Sequence, residues 1–147
     1  MLYEEVFRVL HKHKIKYLVI GGFAVNLFGV HRLTRDLDLV IDLPEVNLDK
    51  FSAVLKTVGY SPARSLKKAK DLTAFSFFHD KDGYKMVDIF LKNPIDFKQA
   101  YKNRRTFRLK GFTITCTAKQ DLIRMKEKSG RDRDLIDIGM LKKMGKK

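Results

Sequence analysis

Hydrophobic and polar positions alternate along this chain in two periods, and the switches between them outline the elements. Val6, Val9 and Leu10 follow Leu2 at helical spacing, with Arg8, His11 and Lys12 off the stripe, so Leu2 to Lys14 predicts an amphipathic helix. Tyr17-Leu-Val-Ile20 is a short apolar run stopped by Gly21-Gly22, the pattern of a buried strand. Phe23 to Phe28 then predicts a helix closing at Gly29. From Asp36 to Leu43 the period becomes two. Leu37, Leu39, Ile41 and Leu43 fall on one face, and Asp36, Asp38, Val40 and Asp42 on the other.

Pro44 ends that strand, and Asn47 to Val58 predicts a helix closed by Gly59. Residues 61–71 are polar and basic without a period, which predicts a loop or flap. Ala74 to His79 and Tyr84 to Leu91 flank Asp80-Lys-Asp-Gly83, a hairpin signal. Asp96 to Lys102 predicts a short helix, and Thr106 to Leu109 with Phe112 to Thr117 a second hairpin. Ala118 to Lys128 and Asp132 to Met144 predict two closing helices, followed by a frayed basic tail over 143–147. The fold class expected is α+β: one domain, 1–147, with a mixed β-sheet and helices packed against it.

Composition narrows the partners. Of 147 residues, 31 are Lys or Arg and 17 Asp or Glu, a formal net charge of +14, which points to a polyanion. The longest apolar run, Tyr17 to Val30, contains Asn26 and three glycines and falls short of a membrane span. Glu4 and Glu5 break a signal-peptide pattern, so the expectation is a cytoplasmic protein. One cysteine, Cys116, excludes a disulfide framework. Few amide side chains and abundant lysine lean toward a thermophilic source.

The acids are unevenly placed. Thirteen are Asp and four Glu, and the stretches 6–35, 50–70 and 97–120 hold none. Short carboxylates set among basic stretches suit a divalent metal that handles phosphates. Asp36 and Asp38 leave one face of a strand roughly 6.5–7 Å apart, costly for like charges unless a cation joins them. Asp88 lies in the apolar strand Met86-Val-Asp-Ile-Phe90. If that strand neighbours 36–43, three carboxylates converge and can hold two divalent ions about 3.5–4 Å apart. Gly21-Gly22, between a strand and a helix, would let backbone amides approach a phosphate. Arg32 and Thr34 lead into the acidic strand. Phe75, Phe77, Phe78, Phe90 and Phe97 read as core, with one available to stack on a base. Asp42 reads as solvated or structural.

Gly21-Gly22-Phe-Ala-Val-Asn-Leu-Phe-Gly29 followed by Arg32-Leu-Thr34-Arg-Asp36-Leu-Asp38 resembles the DNA polymerase beta-like nucleotidyltransferase superfamily. Asp121-Leu-Ile-Arg-Met-Lys126 with Arg131-Asp-Arg-Asp134-Leu-Ile-Asp137 resembles the closing helices of small bacterial nucleotidyltransferases of the abortive-infection toxin type. The resemblance implies a nucleotidyltransferase-like fold and Mg²⁺-dependent transfer of a nucleoside monophosphate from a nucleoside triphosphate such as ATP to a hydroxyl, releasing pyrophosphate. Asp36, Asp38 and Asp88 would hold two Mg²⁺ ions. Gly21, Gly22, Arg32 and Thr34 would hold the triphosphate, and Lys126 and Asp134 would line the site. Gly-Gly stands where many members have Gly-Ser, so a hydroxyl contact to phosphate is missing. The acceptors implied are an RNA end such as tRNA, a protein hydroxyl or a small molecule, and the basic stretch 97–120 makes RNA the first to test. The alternatives are a non-catalytic module of the same fold, antitoxin-like or nucleic-acid-binding, and a metal-dependent nuclease.

Overall fold

A computed structural model describes residues 1–42, 45–91 and 95–144. Among these residues seven strands form one mixed sheet, β1 Tyr17–Ile20, β2 Leu37–Ile41, β3 Tyr60–Pro62, β4 Ala74–His79, β5 Met86–Phe90, β6 Arg105–Leu109 and β7 Phe112–Cys116, in the order β3-β4-β5-β2-β1-β7-β6. Among the described residues six α-helices accompany them: α1 Glu4–Lys12, α2 Gly21–Leu27, α3 Leu48–Lys56, α4 Phe97–Lys102, α5 Lys119–Ser129 and α6 Asp132–Lys143. The α+β class and both hairpins stand as the hydrophobic pattern predicts. No helix among the described residues is long and apolar enough to cross a membrane.

The main core fills the space between one sheet face and α1, α2 and α3. Tyr3, Phe7, Leu37, Leu39, Ile41, Phe51, Leu55, Phe75 and Phe77 are at most 2% exposed there. Leu18, Ile20 and Val40 point to the opposite face, where α4 covers them with Phe97 and Ala100. β1 and β2 are therefore apolar on both sides, which explains Val40 on a face otherwise read as polar.

Several expectations need correction. Leu2 lies outside α1 and is 44% exposed, because Phe7 fills the stripe instead. Residues 61–71 are not a bare loop: β3 adds an edge strand to β4, and Leu66–Asp71 form a 3-10 helix that seats Ala69 in the core. Of the two readings of Asp42, solvated or structural, the structural one holds: it is buried, and the amides of Glu45 and Val46 bond to its carbonyl. Phe78 is 40% exposed, while Phe75, Phe77 and Phe97 are core. Lys142 and Lys143 belong to the last turn of α6, and the Met144 carbonyl accepts a hydrogen bond from Lys119 Nζ, so the chain is held to that point. The remaining tail, Leu43 and Pro44 lie outside the described residues.

Candidate active site

Three neighbouring strands bring the polar residues into line. β2 runs parallel to β5 with Asp38 opposite Asp88, and β5 runs antiparallel to β4 with Asp88 opposite Ser76. A single row across the sheet therefore reads Asp38, Asp88, Ser76. Neighbouring strands lie about 4.8 Å apart, so the two carboxyls are close by construction. Ser76 Oγ donates a hydrogen bond to Asp88 Oδ1. Asp36 stands one residue ahead of β2 and acts on both acids through its charge.

The electrostatic cost of this row is visible. Burial, then the charges of Asp88 and Asp36, push the Asp38 carboxyl from 3.8 up to about 7, against the pull of Lys126. Asp88 is also raised, by burial first, while the Ser76 hydroxyl opposes the rise. Among the described residues no three Asp, Glu, His or Cys side chains close on one point, so Asp36 is not gathered into a three-carboxylate cage. The pair Asp38 and Asp88 is nevertheless a donor set suited to a divalent cation. Both are oxygen ligands, both are held above their usual range, and a bound cation would relieve both at once.

Gly21 and Gly22 open α2 at the same place. Gly21 has φ +70°, and a Cβ added there would sit 2.4 Å from Asp38 Oδ2. A Cβ on Gly22 would meet Arg32 Nη1 at 2.9 Å and Thr34 Oγ1 at 3.0 Å. The glycine pair is thus the point where Asp38, Arg32 and Thr34 approach the backbone. Ile20, the N-cap of α2, supplies no side-chain cap to the first amides of the helix.

The far wall comes from α5 and α6. Lys126 Nζ, buried, lies 2.8 Å from Asp137 Oδ2 and 3.5 Å from Asp134 Oδ1. Asp137 Oδ2 is also 2.8 Å from Arg32 Nη1, an ion pair without the alignment of a hydrogen bond. Arg131 Nε donates to Asp134 Oδ2 at 2.7 Å, and the Arg131 backbone amide donates to the same oxygen at 3.3 Å at the start of α6. Burial alone would raise Asp134, but the Arg131 hydrogen bond and the Lys126 charge outweigh it and hold the carboxyl below its usual range. Arg32, Asp137, Lys126, Asp134 and Arg131 form one chain of alternating charge.

These walls enclose a cavity of about 670 Å³ lined by Ile20, Gly21, Asp38, Phe90, Leu122, Met125, Lys126, Lys128, Ser129, Arg131 and Asp134. Of the phenylalanines read as core, Phe90 is the one that lines this cavity. A second cleft of about 260 Å³, between α4 and α5, shares Met125 and Lys128 with it and adds Asp96, Gln99, Asp121 and Arg124. The basic residues of 97–120 lie elsewhere. Arg104, Arg105 and Lys119 line a separate cleft on another side of α5, and Arg108 is exposed on the edge strand β6. Cys116 is buried in β7, and burial pushes its thiol up to about 12, which suits a packing residue.

Three contributors went unread in the sequence. Asp137 links Arg32 to Lys126; its signal is the Asp-x-x-Asp spacing that puts Asp134 and Asp137 on one helix face. Ser76 stands polar between Phe75 and Phe77 in an alternating strand. Tyr3 gave no signal at all. It is fully buried, and its hydroxyl donates to the Arg35 carbonyl and accepts from the Met86 amide at 2.9 Å. It therefore ties the residue before Asp36 to the start of the strand that carries Asp88.

Comparison with known proteins bears on the family and the fold. A family model described as aminoglycoside-2''-adenylyltransferase matches residues 3–141. No curated protein matched the chain. Among solved structures, the chain is similar to the lincosamide antibiotic adenylyltransferase LnuA in lincomycin-bound form, with TM-score 0.69 and 19% identity over 96% of this chain and 94% of that one. It is similar to ANT(2")-Ia in complex with adenylyl-2"-tobramycin, with TM-score 0.65 and 12% identity over 95% and 85%. It is also similar to an antigenic nucleotidyltransferase-like protein from Paracoccidioides brasiliensis, with TM-score 0.62 and 20% identity over 93% and 73%. At these identities the structural likeness speaks for the fold.

Proposed function

Because this chain belongs to the aminoglycoside-2''-adenylyltransferase family and is a nucleotidyltransferase, we propose that it transfers a nucleoside monophosphate from a nucleoside triphosphate to a hydroxyl on a small-molecule acceptor, with Mg²⁺ as cofactor. The observation that carries this reading is the Asp38–Asp88 row facing Gly21 at the edge of the cavity. Asp38 and Asp88 would hold the divalent ion, with Asp36 adding negative charge beside them. When bound, that ion neutralises phosphate charge and lowers the pKa of the attacking hydroxyl.

The chain's own residues supply the rest. The first amides of α2, at Gly21 and Gly22, face the triphosphate, and Thr34 and Arg32 flank them. Lys126, already paired with two carboxylates, acts as a fixed cation in the wall rather than a mobile one. Phe90 and Ile20 give an apolar surface for the base. The acceptor oxygen attacks the α-phosphorus, the bond to pyrophosphate breaks, and the hydroxyl proton passes to Asp88, oriented by Ser76. The adjoining cleft between α4 and α5 is the acceptor's place. It opens beside the main cavity of about 670 Å³, a size that takes small molecules, and Arg104, Arg105 and Lys119 of the basic stretch line a different cleft.

The test incubates the protein with Mg²⁺ and each α-labelled nucleoside triphosphate, with an aminoglycoside, a lincosamide or total tRNA, beside Asp38→Ala. Label on a small molecule that depends on Asp38 is the expected result. Label on tRNA alone would favour the toxin-type reading. Triphosphate binding without transfer would favour a non-catalytic module, and mononucleotide release without triphosphate a nuclease.

A further inference from the structure

The outward face of α6 is apolar between an acid at its start and a base at its end. Leu135, Ile136 and Met140 are 57%, 66% and 41% exposed, although the inward residues Asp134, Asp137, Ile138 and Leu141 are buried. At 3.6 residues per turn, Asp132, Leu135, Ile136, Gly139, Met140 and Lys143 fall within an arc of about 140°. An added Cβ at Gly139 would meet nothing within 4 Å, so no contact inside this chain requires glycine there. Glycine costs an exposed helix about 1 kcal/mol relative to alanine, and a hollow at the centre of an apolar face suits a facing side chain.

We propose that α6 pairs antiparallel with α6 of a second copy of this chain about a two-fold axis. That arrangement sets Asp132 against the second copy's Lys143, Leu135 against Met140, and Ile136 into the hollow at Gly139. Each of these pairings occurs twice by symmetry. The charge pattern selects this occupant and this direction: acid at the start of the helix and base at its end are complementary only when the helices run opposite ways. The helix dipoles then also oppose each other favourably. Arg133 and Lys142 fall at the margins of the contact, where solvent screens them. The face is one 12-residue helix, about 18 Å long, so the dimer sits at the weak end of protein interfaces, with Kd on the order of 10 μM to 1 mM.

Sedimentation equilibrium of the full chain over that range tests this. The wild type should dimerise reversibly. Gly139→Gln, which fills the hollow with a better helix former, should raise the melting temperature of the monomer yet weaken dimerisation by about tenfold or more. Lys143→Glu, which sets like charges together twice, should weaken it by about tenfold. The exchange Asp132→Lys/Lys143→Glu should restore it. Leu135→Cys mixed with Met140→Cys should oxidise to a mixed covalent dimer faster than either alone. A chain monomeric throughout, a dimer indifferent to Gly139→Gln, or a charge exchange that fails to restore would overturn the proposal.

Discussion

The raised carboxyl of Asp38 makes the stability of the metal-free protein depend on pH in an unusual direction. Unfolded, the group titrates near 3.8, and folded near 7. Below the lower value both states hold the proton. Between the two, the folded state keeps a proton that the unfolded state has lost, so unfolding becomes easier as pH rises. Above about 8 both are ionised and the loss is complete. At 1.36 kcal/mol per pH unit, the interval corresponds to about 4 kcal/mol. Water reaching the cavity screens part of this, leaving about 2 kcal/mol. Asp88 is raised as well and adds in the same sense. Asp134, held below its usual range, loses its stabilising ionisation only in more acidic solution, outside this window.

The assay is denaturant unfolding in EDTA at pH 5 and pH 8.5, on the wild type and on Asp38→Asn. Starting from pH 5, about two of the three pH units remain, so the wild type should be less stable at pH 8.5 by about 1.3 kcal/mol, and the variant should lose less than half as much. Adding Mg²⁺ at pH 8.5 should raise the wild type and leave the variant nearly unmoved. A wild type that gains stability toward pH 8.5, or a variant with the same slope, would refute the argument.

Other consequences follow from single contacts. Gly21→Ala places a Cβ against Asp38 Oδ2 on a backbone with positive φ, so thermal unfolding should show a loss of about 2 kcal/mol or more and transfer should cease. Asp137→Asn removes the carboxylate between Arg32 and Lys126 and should destabilise by about 3 kcal/mol, measured by denaturant titration. Tyr3→Phe leaves the Met86 amide without the hydroxyl that it donates to. It should cost about 1–3 kcal/mol and reduce transfer more than a surface variant of equal stability. Ser76→Ala withdraws the hydroxyl that opposes the rise of Asp88, so the pH above which Mg²⁺ binds should move upward.

Much of the architecture was legible because it rests on local periodicity. The alternation from Leu37 to Ile41, the hairpin signal before β5 and the glycine pair all lie within a few residues of what they specify. Asp38 and Asp88 could be named from composition alone, each an acid in an apolar strand. That they meet depended on the pairing of β2 with β5, about fifty residues apart, which local pattern cannot supply. Position 40 shows the same limit: α4 covers that face, and no nearby residue announces it. Tyr3 is the extreme case, since its partners are 32 and 83 residues away and a tyrosine before a helix looks like any other core aromatic. Lys126, expected at the site from the resemblance, lines the same cavity as Asp38. Its double pairing was hidden, because the charge balance of a buried group depends on side chains from three elements.

The row Asp38, Asp88, Ser76 also turns the sheet into a gauge of its own assembly. Side chains alternate across a strand, so a slip of β5 by one residue would carry Asp88 to the opposite face and bring Val87 or Ile89 to Asp38. A slip of two would restore the face but displace the carboxyl by about 6.6 Å. Either product could keep most of the apolar burial and the same strand count, and neither would present paired acids. Catalytic competence would therefore separate correctly threaded molecules from compact, misaligned ones that spectroscopy of secondary structure counts as native.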